Sequence, residues 1–337
     1  MIDTVSPCFS GNSRFRTVSV FVAIITRFSL ITIISSCSKE KIELTFTRLS
    51  SGITNDLNHV FFINDSIGYV CGGDRYFKGD LLKTTDGGYT WHDQSTGEMT
   101  KALYRLDFIS EDTGFSCGYD GKIFKTTDGG ANWHFFQTDY YRPLRSIYML
   151  DGQRGFACGG DGYKSGYLLR STDGGDDWLA DTSLEEYRDL VFFDESNGVV
   201  CGYGLIMYTT DGGQTWTYTN AKQDFFVAMD FVNEATGYAI GYTGSIWKTT
   251  DGGRSWERLR NANVIFKPQW YLNCIAFINE SVGYVAGEGG CFLKTSDGGQ
   301  SWRPIENAPE VDWKGISLVS DGGFICGTGG EIYRFLD

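Results

Sequence analysis

Between residues 102 and 136 the chain alternates short runs of β-forming residues with turns rich in glycine and aspartate. Residues 103–109, with Leu103, Leu106 and Phe108 set against Tyr104, Arg105 and Asp107, read as one strand. Residues 115–118 and 122–127 read as two more, and Asp128-Gly129-Gly130 turns into a fourth at 132–136. Runs this short, with turn residues at each break, are a hairpin signal; nothing here follows the 3.6-residue period of a helix.

The pattern recurs. A phrase T/S-D-G-G-x-x-W occurs six times, at Asp86, Asp128, Asp173, Asp211, Asp251 and Asp297, with spacings of 42, 45, 38, 40 and 46 residues. Its tryptophans are Trp91, Trp133, Trp178, Trp216, Trp256 and Trp302. Four strands in about forty residues make a propeller blade. Inner strands are predicted at 59–63, 104–109, 145–150, 188–193, 228–232, 273–278 and 313–319, which gives seven blades. The last repeat ends without the phrase. Thr45 to Gly52 matches Thr90 to Gly97 in pattern, with Phe46 where Trp91 stands. The expected fold is therefore all-β: a seven-bladed propeller of four-stranded antiparallel blades over residues 44–337, its last blade closed by the N-terminal strand.

Each aspartate precedes two glycines that take positive φ at little cost, so its carboxylate is placed to accept amides of its own turn. The tryptophan then fills the layer between sheets. Six equivalent positions around a ring cannot converge on one substrate, which excludes the boxes as a catalytic or calcium site.

Composition narrows the function. With 337 residues, 41% of them hydrophobic, the chain can bury a large core, and its net charge of −13 argues against nucleic acid as a partner. Residues 1–36 read as an export signal: Arg14 and Arg16 precede an apolar stretch that ends in Ser35-Ser36-Cys37. Cys37 is then the lipidated first residue and 37–43 a tether, which predicts a membrane-anchored envelope lipoprotein whose globule does not span the bilayer. Cys71, Cys117, Cys158, Cys201 and Cys326 recur at one place in the repeat and are expected to be buried, unpaired thiols. Neither a metal site nor a cofactor is expected, since histidine is scarce and there is no C-x-x-C.

The phrase is the BNR, or Asp-box, repeat. Gly114-Phe115-Ser116-Cys117-Gly118 followed by Lys125 to Trp133, and Gly237-Tyr238-Ala239-Ile240-Gly241 followed by Lys248 to Trp256, resemble the photosystem II stability/assembly factor family. The resemblance covers nearly all of residues 44–337. It implies a seven-bladed propeller that acts as an assembly chaperone. The start Cys37-Ser38-Lys39-Glu40 looks like lipoproteins of the Bacteroidota, so the fold and the manner of binding carry over and the photosystem partner does not.

The face away from the boxes is where a site is sought. His59, Arg105, Arg145, Arg188 and Lys314 stand at the entry to inner strands and are expected to form a basic ring at the channel mouth. Arg75, Tyr76, Tyr141, Arg142, Tyr163 and Trp270 lie on its longer loops, as do Lys164, Phe266 and Lys267. Such a surface suits an acidic protein segment or an acidic glycan. Arg105 and Arg188 are expected to serve capture without bearing on stability. The expected function is non-enzymatic binding or scaffolding by a monomer. The alternative is a glycan-acting enzyme, sialidase-like or another glycoside hydrolase, using carboxylates among Asp161, Glu185, Glu186 and Glu288.

Overall fold

A computed structural model describes residues 41–337, apart from 164, 184 and 263–268. The expected signal segment, Cys37, Lys164, Phe266 and Lys267 lie outside the described residues. Lys41–Asp337 forms one compact unit.

That unit is an all-β propeller of antiparallel blades. Leu57–Phe62, Gly68–Asp74, Lys78–Thr84 and His92–Asp93 pair in order, as do Leu103–Phe108, Gly114–Gly118, Lys122–Thr126 and His134–Gln137. Leu144–Met149, Gly155–Gly160, Gly166–Ser171 and Leu179–Ser183 repeat the arrangement, and so do Leu272–Phe277, Gly283–Gly287, Phe292–Thr295 and Arg303–Pro304. A further sheet holds Trp313–Val319, Gly322–Gly327 and Glu331–Leu336, and its outer strand is Thr45–Ser50, which runs antiparallel to Glu331–Leu336. Ile42, just ahead of that strand and inside the expected tether, bridges Ile305, and its carbonyl accepts the Glu306 amide at 2.9 Å.

The count of sheets corrects the count of repeats. Among the described residues the hydrogen-bonded sheets number six, because one has six strands. In it Thr217–Phe231 runs unbroken through two repeats, pairing first with Gly198–Thr209 and then with Gly237–Gly241. Gly198–Thr209 is likewise continuous where other repeats have two strands, with Gly204 at φ 82° partway along it.

The glycine that opens each second strand has a steric cause. A Cβ on Gly114 would lie 2.2 Å from the Phe108 ring, and one on Gly237 2.4 Å from Phe231. The inner-strand phenylalanine therefore lies flat over its own hairpin. On its other side it stacks on a ring of the neighbouring sheet: Phe62 on Phe324 at 3.6 Å, Phe192 on Phe156 at 3.4 Å, Phe277 on Tyr238 at 3.6 Å. The box tryptophan meets the same ring edge-on, as Trp133 meets Phe108 at 90° and Trp302 meets Phe277 at 89°. Each such contact adds roughly 1 kcal/mol beyond the area it buries. Trp133, Trp178 and Trp256 are buried, whereas Trp91, Trp216 and Trp302 remain half-exposed.

The box turns close on themselves. The Asp128 carboxylate accepts the Asn132 amide at 2.8 Å and the Asn132 side chain at 2.7 Å, and Gly129 and Gly130 take φ of 65° and 89°. A second hub, which the consensus phrase leaves out, is the hydroxyl two residues before the aspartate. Thr126 Oγ1 donates to Asp128 at 2.9 Å and accepts the Gly130 amide at 2.9 Å. Thr84, Ser171, Thr209, Thr249 and Thr295 do the same in their own turns. Cys71, Cys117, Cys158, Cys201, Cys274 and Cys326 are buried free thiols, and Cys291 is a half-buried one.

Candidate functional site

Every inner strand slips register by one residue near its start, between Leu57 and His59, Leu103 and Arg105, Leu144 and Ser146, Tyr187 and Asp189, Phe226 and Ala228, Leu272 and Cys274, and Trp313 and Gly315. A bulge re-aims the side chain it carries. The skipped residues, Asn58, Tyr104, Arg145, Arg188, Val227, Asn273 and Lys314, all line one cavity of about 850 Å³. No box aspartate lines it.

All five expected mouth residues line this cavity, but on two levels. Arg145, Arg188 and Lys314 are bulge residues; His59 and Arg105 come one residue later along their strands. Nor is the ring uniformly basic, because Asp56, Glu288 and Asp312 share the lining. Lys314 pairs with Asp56 at 2.6 Å, and Tyr242 donates its hydroxyl to Glu288 at 2.6 Å. These acids come from loops that the repeat pattern does not mark.

Two of the five are structural in character. His59 is no cation: burial, and then the charge of Arg105, hold its pKa well below the ordinary value, and its Nδ1 accepts the Leu106 amide at 3.3 Å. Arg105 sits 3.6 Å from Asp189, a carboxylate only 2% exposed. Asp189 also accepts the Ser146 hydroxyl at 2.8 Å and the Met229 amide at 3.0 Å. Arg105 thus belongs to the seam between strands, and removing it strands a buried charge, contrary to the expectation that it bears only on capture.

Two more carboxylates, half-buried, link neighbouring inner strands in the same way. Asp107 accepts the Met149 amide at 2.6 Å and Asp230 the Phe277 amide at 2.6 Å. Burial pushes both up to about 6, against the pull of those amides. The repeat itself gives no signal for them, since only these two inner strands carry aspartate just before the terminal phenylalanine.

Arg188 pairs with Glu186 at 2.6 Å and lies 4.9 Å over the Phe225 ring. Arg145 lies 4.7 Å over Tyr104, with no carboxylate in ion-pair reach among the described residues. Arg75 stacks on Tyr119 at 4.9 Å and on Tyr76 at 5.5 Å. Tyr141 and Arg142 are exposed, Trp270 lies under Arg260 at 3.9 Å, and Tyr163 turns to a separate recess beside Tyr203.

Of the carboxylates considered for glycoside hydrolysis, Asp161 is exposed on its loop. Glu288 lines the cavity, Glu185 lines the separate recess, and Glu186 is buried against Arg188 and the Tyr163 amide. Among the described residues no group of three or more His, Cys, Asp or Glu is placed to hold a metal ion.

Comparison with known proteins agrees with this architecture. The family model described as photosynthesis system II assembly factor YCF48 matches residues 38–134, 182–263 and 220–312. The photosystem II assembly lipoprotein Ycf48 of Synechococcus sp. (strain CC9902) is 31% identical over 119 residues, 32% of this chain and 34% of that protein. The chain therefore spans about a third of the curated relative it matches. Among solved structures, YCF48 bound to D1 peptide has a TM-score of 0.69 at 21% identity, covering 88% of this chain and 100% of that one. YCF48 from Cyanidioschyzon merolae scores 0.65 at 18% identity, covering 86% and 98%. A virginiamycin B lyase from Staphylococcus aureus reaches 0.70 at 9% identity over 88% and 100%, a likeness of fold alone.

Proposed function

We propose, from the premise that this chain belongs to the photosynthesis system II assembly factor YCF48 family, that it is a non-enzymatic binding propeller whose cavity mouth captures an acidic stretch of a protein segment. One observation carries the reading. Arg145 lines the cavity without a carboxylate in reach, and its charge helps burial to lower the pKa of Arg188 beside it. Arg188 keeps Glu186 as its partner at 2.6 Å, so the uncompensated charge at the mouth is that of Arg145, whose guanidinium fits a carboxylate in bidentate fashion. The solved relative named as bound to a D1 peptide supports a protein segment over a glycan.

The test is fluorescence anisotropy of a labelled acidic peptide on the full chain. Arg145→Ala should weaken binding by about tenfold or more, with Arg145→Lys intermediate and the melting temperature nearly unchanged. Equal affinity in wild type and Arg145→Ala would sink the reading.

The finer architecture belongs to the same proposal. We read the six-stranded sheet as two blade equivalents joined through Thr217–Phe231, which makes seven, with Thr45–Ser50 as the outer strand of the last. Contacts from each inner strand to the next, including Trp313–Val319 against Leu57–Phe62, support it. The chain works as a monomer in the cell envelope, cleaved after residue 36 and held by a lipid on Cys37; the lipoprotein name of the Synechococcus relative supports this. A palmitate analogue should label the wild type and leave Cys37→Ser unlabelled.

A further inference from the structure

A second recess of about 680 Å³ is lined by Tyr163, Tyr203 and Tyr218 together with Glu185, Leu205 and Lys222. Its three tyrosines are 51%, 43% and 54% exposed, an unusual grouping of large rings in solvent. Tyr163 and Tyr203 stand 4.5 Å apart at 42°. Tyr163 holds a left-handed backbone, φ 68°, and Gln223 beside Lys222 holds another, φ 62°. Strain of this kind persists only where the surroundings enforce it.

The enforcing group joins the recess to the mouth. Glu186, 2% exposed, accepts the Tyr163 amide at 2.9 Å and pairs with Arg188 at 2.6 Å. A line of rings makes the same connection: Arg188 lies 4.9 Å over Phe225, Phe225 is 5.3 Å from Tyr203, and Tyr203 is 4.5 Å from Tyr163. The two ends are thus no more than about 15 Å apart, or roughly four residues of extended chain.

We infer that this recess is the second half of the partner site, taking an aromatic side chain from the same segment whose acidic residue is held at Arg145 and Arg188, about four residues away. The inference rests on the capture reading above. Three tyrosine faces and the Lys222 ammonium favour an aromatic occupant through ring-edge and cation–π attraction. An aliphatic side chain offers neither a ring edge to the tyrosines nor a π-face to the ammonium.

The experiment compares two labelled peptides on the full chain. Both end in an acidic residue with a free carboxylate; one carries Trp and the other Ala four residues upstream. The Trp peptide should bind about tenfold tighter. Tyr203→Ala and Tyr218→Ala should each bring it down toward the Ala peptide without weakening the latter, and Tyr203→Phe should keep most of the gain. Equal affinity of the two peptides for the wild type overturns this inference and leaves the mouth reading standing. Failure of both to bind overturns both. Displacement of the Trp peptide by soluble cello- or malto-oligosaccharides would make the recess a carbohydrate site and overturn the inference too.

Discussion

Asp107 and Asp128 belong to the same blade, yet their environments push their carboxyl groups in opposite directions. Asp128 lies in solvent and is held down at about 2, chiefly by the Asn132 side chain and then by amides of its own turn. Asp107 is pushed up to about 6 by burial, and its donor, the Met149 amide, comes from the neighbouring inner strand. Every requirement of the first is met within seven residues of chain, Thr126 to Asn132, so it can be copied from repeat to repeat. The second depends on which strand lies alongside, and among the described residues only Asp230 repeats it.

The strongest way to break the seam is Asp189→Ala. It leaves Arg105 without its partner and the Met229 amide without an acceptor, and should cost about 3 kcal/mol by urea unfolding. A loss no greater than that of a surface substitution would show that the seam is not held by this carboxylate.

Within the box, Thr126→Val keeps the shape and removes the buried hydroxyl. The Gly130 amide loses its acceptor, for a loss of about 2 kcal/mol. Asp211→Ala, in the matching turn, should also destabilise. If it proves more damaging than Thr126→Val, the aspartate and not the hydroxyl is the hub.

The pH dependence separates the two sets. Asp107 and Asp230 titrate near 6 when folded, above the ordinary 3.8. Between those values the folded chain binds more protons than the unfolded one, so their contribution is greatest below about pH 4 and falls as pH rises toward 6. Asp86, Asp128 and Asp211 titrate near 2 when folded, below 3.8. Their contribution is complete above about pH 4 and is lost as pH falls toward 2. Thermal melts of Asp107→Asn combined with Asp230→Asn should flatten the slope between pH 4 and 6 and leave the acid limb as it is. The smallest effect on stability belongs to Arg145→Ala, whose cost should fall on peptide affinity alone.

Much of this was legible in the chain. Strand positions came within a residue or two because the turns are marked by glycine and aspartate, and the match of Thr45 to Gly52 with a box-following strand pointed to its pairing with Glu331–Leu336. The hydroxyl hub was visible at Thr84, Thr126, Ser171, Thr209, Thr249 and Thr295, but only its hydrogen bonds reveal its use. The basic mouth was half legible. Entry positions could be named, yet a one-residue bulge decides that Arg145 and Arg188 stand on one level and Arg105 on the next. That slip is a property of strand pairing and leaves no mark on either strand alone.

The sequence by itself determined the repeat, the four-strand hairpin order and the self-contained Asp-box turn, because each rests on contacts within a few residues. Tertiary structure decided the rest: the continuous strand Thr217–Phe231 that fuses two repeats, the neutral His59, the Arg105–Asp189 pair, the acids Asp56, Glu288 and Asp312 in the cavity wall, and the tyrosine recess tied to Arg188 through Glu186. Those features depend on groups from different repeats meeting in space, and burial sets the charge or pairing of a side chain only once its neighbours are in place.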